Sequence, residues 1–206
     1  MCLNLTLIAA VAIIITGALL AVAQNSLKKI LIFATLSQAG FSLLAFCQSG
    51  IAAMRMSVLY LFSQAIGLCG LFLCASLIRK ATGSDNINHT AGLLKVMPYT
   101  ALAFLLCAFS IMGVPPFLGF WPKLLTTISS VQEGHIVIEV FAVFGAFLTL
   151  FYLMRVFNRV FLGEPKIKAQ ENNSLSLWLA FGLGVLLLIL GFAVKLPFSL
   201  IEALIK

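Results

Sequence analysis

Acidic side chains are scarce in this sequence. Asp and Glu together number 6 in 206 residues, and charged residues of both signs make up 9%. A soluble domain carries roughly 25% charge, so most of this chain's outer surface must meet lipid or other apolar protein. Histidine is rarer still: His89 and His135 fall in expected loops, far from any cysteine cluster, and no metal site is expected. The five cysteines, Cys2, Cys47, Cys69, Cys74 and Cys107, form no CxxC pair and mostly sit inside apolar runs. That is the distribution of small buried hydrophobes, not of ligands or disulfides. Cluster ligands, haem ligands and a nucleotide loop are missing too, so no cofactor and no redox chemistry are expected in this chain. The 13 Lys and Arg residues give a net charge of +7, but they are scattered among loops and helix ends. Without a basic stripe beside stacking aromatics, they argue against nucleic acid as a partner.

What the chain does have is apolar length. It is 62% hydrophobic, with a mean hydropathy of +1.15. Runs of about 20 apolar residues span a bilayer as helices, and counting them gives an all-α membrane protein of about seven helices. Read as a single transmembrane domain over residues 1–206, these lie at about 3–23, 30–47, 56–78, 99–112, 117–131, 136–157 and 175–196. The first run, Leu3 to Gln24, lacks a basic n-region and is too long for a signal-peptide core, so it reads as a span that stays. Lys28, Thr35, Gln38 and Ser42 share one stripe of the second helix, and Ser57, Tyr60, Gln64 and Gly67 share one face of the third. Polar stripes on greasy spans face protein or water; interhelical hydrogen bonding is the plainer reading. With seven full spans, Lys28, Lys29, Arg79, Lys80, Lys95, Lys195 and Lys206 fall on one side, and Arg55, Arg155, Arg159, Lys166 and Lys168 on the other.

The chain is organised around Gly113-Val114-Pro115-Pro116-Phe117-Leu118-Gly119-Phe120-Trp121-Pro122-Lys123. Three of the six prolines fall here, and each removes a backbone donor and crowds the carbonyl four residues back. The flanking helices are short. Two short segments interrupted by Pro and Gly point to a site built from a discontinuous helix, with Gly113, Pro115, Pro116, Gly119 and Pro122 making the break. Pro122 is expected to free the Leu118 carbonyl. Lys123 would lie roughly 10 Å beyond the Pro115-Pro116 pair along a straight helix. A cation at membrane depth is costly and marks an ion path where it lines a polar cavity; the competing reading is a lysine snorkelling to the nearer surface. Glu139, near the start of the sixth helix, is either a proton acceptor or partner of Lys123, or an interfacial acid favoured by the helix dipole.

Four stretches in order resemble one family. Ser26 to Gly40 is similar to D-L-K-R-L-L-A-Y-S-S-I-S-Q-x-G, Gly92 to Pro98 to G-L-x-K-x-M-P, and Gly113 to Lys123 to G-x-P-P-x-x-G-F-x-x-K; Phe161 to Lys166 looks like the end of the family's penultimate helix. These are motifs of the antiporter-like subunits of respiratory complex I, of Mrp cation/proton antiporters and of energy-converting membrane hydrogenases. The resemblance implies the second of two inverted five-helix repeats, hence the C-terminal half only, beginning near the eighth family helix. Lys123 matches the terminal lysine leading to one aqueous exit, and Lys28 or Lys29 the lysine joining the two halves. Gln64 takes the position of a family histidine, and Leu68 one that is lysine in some members.

The resemblance therefore implies a proton- or sodium-translocating subunit of a larger complex of the NADH-quinone oxidoreductase, Mrp or hydrogenase type. Its expected ion pathway is Lys123, Lys28, Lys29, Gln64 and Glu139. Expected partners are other membrane subunits, including one that supplies the first repeat or is itself antiporter-like, and subunits carrying iron–sulfur clusters or other redox centres. The expected location is the cytoplasmic (inner) membrane of a prokaryote, with many passes. The competing reading is a non-conducting scaffold subunit of the same kind of complex.

Overall fold

In a computed structural model, residues 2–48, 51–164, 171 and 174–193 are described, with backbone only for residues 2–4 and 51–56. Arg55 as a side chain, and Lys166, Lys168, Lys195, Glu202 and Lys206, lie outside the described residues. The described residues form seven α-helices: α1 (Cys2–Ala23), α2 (Leu27–Phe46), α3 (Ile51–Thr82), α4 (Pro98–Met112), α5 (Phe120–Gln132), α6 (Ile136–Val160) and α7 (Leu175–Ala193). Among the described residues there is no strand, only an isolated bridge between Ser26 and Asn86. Five helices are long and apolar enough to cross a membrane: α1, α2, α3, α6 and α7.

Small residues let the helices approach closely, as interfaces in lipid require. A Cβ on Gly17 would lie 2.6 Å from the Ser37 nitrogen, and one on Gly40 would lie 2.8 Å from the Ala10 carbonyl. The backbones of α1 and α2 therefore touch, and the Ser37 hydroxyl donates to the Ile14 carbonyl at 3.0 Å. Helix α4 is the central element, burying Ala101, Ala103, Phe104, Cys107, Ala108 and Ile111 against α3, α6 and α7. Its first amides are held by a residue distant in sequence. The Glu171 carboxylate accepts from Thr100 N and Thr100 Oγ1, both at 2.7 Å.

Helices α4 and α5 have 15 and 13 residues, and together they make one crossing. The start of α4 lies beside the end of α6, since Gly92 N donates to Leu162 O and Leu94 N to Phe161 O. The end of α5 joins the start of α6 through three residues. A 25-residue helix is about 37 Å long, so the two ends of α6 lie on opposite faces of the membrane. The α4–α5 pair must run from one face to the other.

This corrects the division of charges expected from seven full spans. The Arg155 guanidinium reaches the Val22 and Gln24 carbonyls and Asn25 Oδ1, and Arg159 reaches Asn88 Oδ1. Both arginines therefore stand at the same end as Lys28, Lys29, Arg79, Lys80 and Lys95. The cause is the shared crossing, which reverses the sense of every element after α5.

Candidate functional site

The site begins where α4 stops. Gly113 adopts the left-handed conformation, φ +79°, which glycine takes without steric cost. Gly113 N then donates to Ser110 O, and Val114 N to Phe109 O. This is the Schellman closure, and it satisfies those two carbonyls. Four carbonyls at a helix C-terminus lack intrahelical donors, so Ile111 O and Met112 O are left over. They receive the Lys123 ammonium, at 3.2 and 3.5 Å. The same ammonium stands over the Phe41 ring, 4.6 Å from its centroid. A cation at a helix C-terminus is favoured by the helix dipole, and one over an aromatic face by the ring quadrupole.

Lys123 reaches back because it is the fourth residue of α5, and helical side chains lean toward the N-terminus of their own helix. The expected straight-line separation of about 10 Å from the proline pair is thereby corrected. The Gly113–Gly119 segment folds back, and the lysine nitrogen touches the helix before the break. Pro122 is also corrected. Helix α5 starts at Phe120, not near Phe117, so Pro122 is its third residue. There its missing N–H would have had no partner in any case, and it starts α5 instead of breaking it. The Pro115-Pro116 peptide is cis. Gly119 is required by contact: a Cβ there would lie 2.1 Å from the Ser110 carbonyl. Helix α7 staples the break, with Leu187 O accepting from Leu118 N at 3.1 Å and Gly191 O accepting from Trp121 Nε1 at 2.9 Å.

Lys123 and Glu139 line one small cavity with Phe41, Leu44, Tyr60, Thr126 and Thr127. Its volume is about 10 Å³, at the lower limit for one water molecule. Glu139 is 4% exposed. Its Oε1 accepts from Thr127 Oγ1 at 2.6 Å, and its Oε2 is buried without a hydrogen-bond partner. The acid is therefore buried among protein side chains, in the first turn of α6. It forms no ion pair with Lys123; among the described residues the direct salt bridge is Arg79–Asp85, 3.4 Å.

From the cavity a polar chain crosses the bundle. Tyr60 OH donates to Gln38 Oε1 at 3.0 Å, Gln38 Nε2 donates to Thr149 Oγ1 at 3.4 Å, and Thr149 Oγ1 donates to Gly145 O at 3.0 Å. Thr149 and Tyr152 are fully buried one turn apart on α6. Gln64, one turn along α3 from Tyr60, is 4% exposed, and both of its amide atoms lack partners. The α2 stripe divides: Gln38 and Ser42 are buried, whereas Lys28 and Thr35 are exposed, as is Lys29. The structure thus brings Lys123 and Glu139 together and leaves Lys28 and Lys29 at the basic end of the molecule. Sequence reasoning did not single out Phe41, Tyr152 or Glu171. Phe41 could have been found, because it lies three residues after Gln38 on the same side of α2; nothing local marks Glu171.

Comparison with known proteins bears on the family and the fold. Residues 2–149 match the family model described as NADH:quinone oxidoreductase/Mrp antiporter, TM. NADH-quinone oxidoreductase subunit N of Methylovorus glucosotrophus is 31% identical over 183 residues, which is 88% of this chain and 38% of that protein. An Na(+)/H(+) antiporter subunit of Alkalihalophilus pseudofirmus is 31% identical over 157 residues, 76% of this chain and 32% of that one. Among solved structures, a chain of the Mrp complex from Dietzia sp. superposes with a TM-score of 0.88 at 26% identity, covering 96% of this chain and 46% of the other. The chain thus spans about a third to a half of the length of the relatives it matches. With the broken α4–α5 crossing, its inward lysine and a match over residues 2–149, the chain belongs to the NADH:quinone oxidoreductase/Mrp antiporter transmembrane family, the antiporter-like membrane subunits.

Proposed function

We propose that this chain translocates protons or sodium ions as part of a larger membrane complex of the complex I, Mrp or hydrogenase kind, with Lys123 as the residue on which the translocation turns. The observation that carries this reading is the seat of the Lys123 ammonium. It lies in the gap of a broken span, on two carbonyls left over by the helix end and beside a water-sized cavity shared with Glu139. One water in that cavity would join the ammonium to the unpartnered Glu139 oxygen, with Thr127 fixing the carboxylate from its other side. Tyr60, Gln38 and Thr149 extend the path across the bundle, and Gln64 orders water beside it. Lys28 and Lys29 act at the basic end, where a chain or segment supplying the first repeat would meet α2. Redox centres belong to partner subunits.

The test is Lys123→Ala in the whole complex, with proton and sodium movement measured in inverted membrane vesicles. Loss of ion movement, with the subunit still assembled, is the expected result; unchanged coupling removes the role. The choice of ion follows from which gradient fails. A second reading, a scaffold that does not conduct, draws on one observation: Gln64, an amide that cannot titrate, occupies a buried position where the resembled motif has histidine. A complex that needs this chain for assembly but is indifferent to Lys123 and Glu139 would favour it.

A further inference from the structure

We propose that the outer groove between the end of α1 and the last turns of α6 binds an anionic phospholipid, its phosphate on Arg155 and Arg159 and an acyl chain along Leu150 and Phe151. The groove holds about 600 Å³ and is lined by Val22, Leu150, Phe151, Met154, Arg155, Asn158 and Arg159. Its apolar side chains lie along an exposed face of α6, and its two guanidinium groups stand on the last turns of that helix, at the basic end of the molecule. The arginines are four residues apart, on the same face of the helix, where like charges repel. Among the described residues, neither has a carboxylate partner: the hydrogen bonds of Arg155 go to the Val22 and Gln24 carbonyls and to Asn25 Oδ1, and that of Arg159 to Asn88 Oδ1. A guanidinium has five N–H donors, so both retain donors, Arg159 most of them. A phosphodiester would take up those donors and relieve the repulsion between the two cations.

The apolar lining separates a lipid from a soluble anion. Phe151 is 48% exposed and Leu150 is 42% exposed, a surface that a free phosphate would leave bare and an acyl chain would cover. Basic groups set between membrane helices recognise anionic headgroups in this way.

The test uses the full chain, delipidated in a neutral maltoside and incubated with equal amounts of dioleoyl phosphatidylglycerol and dioleoyl phosphatidylcholine. Retained lipid is read by native mass spectrometry. Phosphatidylglycerol is expected to be retained in preference, and Arg159→Gln to lower its retention about fivefold, the loss of one cation at a headgroup. Lys80→Gln, which removes a cation at the same end but outside the groove, should leave retention unchanged. Arg159 is the variant of choice because Arg155 also holds the end of α1. Equal retention of the two lipids, or an unchanged Arg159→Gln chain, overturns the proposal. Glycerol 3-phosphate displacing the lipid as readily as phosphatidylglycerol does would also overturn it, in favour of a soluble anion. A photo-crosslinker at Phe151 in native membranes gives an independent answer: adducts with lipid support the site, and adducts with polypeptide make the groove a protein interface.

Discussion

The chemistry of single residues rests on a carboxylate and an ammonium that share a cavity without touching. Glu139 is buried with one oxygen held by Thr127 and the other unpartnered, and burying a polar group is costly unless it is hydrogen-bonded. Thr127→Val removes the one side-chain donor to the carboxylate. It should destabilise the chain by about 1–3 kcal/mol, read as a lower thermal midpoint in detergent. Thr127→Ser should restore most of that loss, because it keeps the hydroxyl. Glu139→Gln keeps the size and an oxygen that accepts from Thr127 but cannot take a proton. If Glu139 receives the ion from Lys123, this variant assembles normally and moves protons at least about tenfold more slowly, a barrier increase of about 1.4 kcal/mol. Normal transport in Glu139→Gln would reduce Glu139 to a structural acid. Lys123 and Glu139 were visible in the sequence as charges in apolar runs, but their shared cavity was not. Spacing of sixteen residues across a turn says nothing about which faces meet.

At the scale of elements, the broken crossing is held by contacts that only glycine permits. Gly119 lies against the Ser110 carbonyl, and a Cβ on Gly191 would lie 2.0 Å from the Pro116 carbonyl. Neither neighbour is the end of a flexible side chain, so the backbone itself would have to shift. Gly191→Ala should therefore cost about 1–3 kcal/mol by overpacking and push α7 off the break. Trp121→Phe keeps an aromatic side chain but loses the bond to Gly191 O, which alone contributes about 1 kcal/mol. Both are checked by the yield of folded chain and by proteolysis at the 113–119 segment; wild-type resistance in Gly191→Ala would mean that the staple is not needed. The break was legible because two prolines and two glycines cluster in it, with a third proline just inside α5. The fold-back of the break was not legible, because it depends on Leu187 and Gly191 of α7, some seventy residues later, accepting hydrogen bonds from it.

At the scale of the whole molecule, the cations with described side chains, Lys123 apart, gather at one end. Lys28, Lys29, Arg79, Lys80, Lys95, Arg155 and Arg159 all stand at one end, and α5 finishes at the other. Short loops rich in Lys and Arg stay on the side where the chain is made. The basic end is therefore expected to face the cytoplasm, and the α5–α6 turn the opposite compartment. A cysteine at His89 should react with an impermeant maleimide only in inverted vesicles, and one at Gln132 only from outside whole cells. The reverse pattern would invert the molecule. The orientation bears on the proposed function: if the chain translocates ions through Lys123, their exit would lie on the side opposite the basic end.

Composition alone determined that this chain lives in a membrane, because 9% charge cannot hydrate its surface. Local pattern determined seven helices and the break after α4, and it singled out Lys123, because proline, glycine and a lone cation act through their immediate neighbours. Only the tertiary structure decided that α4 and α5 share one crossing, that both arginines of α6 join the basic end, and that Lys123 caps the helix before the break. Those outcomes depend on which carbonyls and which cavities distant segments bring within about 3 Å of one another, and apolar length, the main signal in such a sequence, is blind to that.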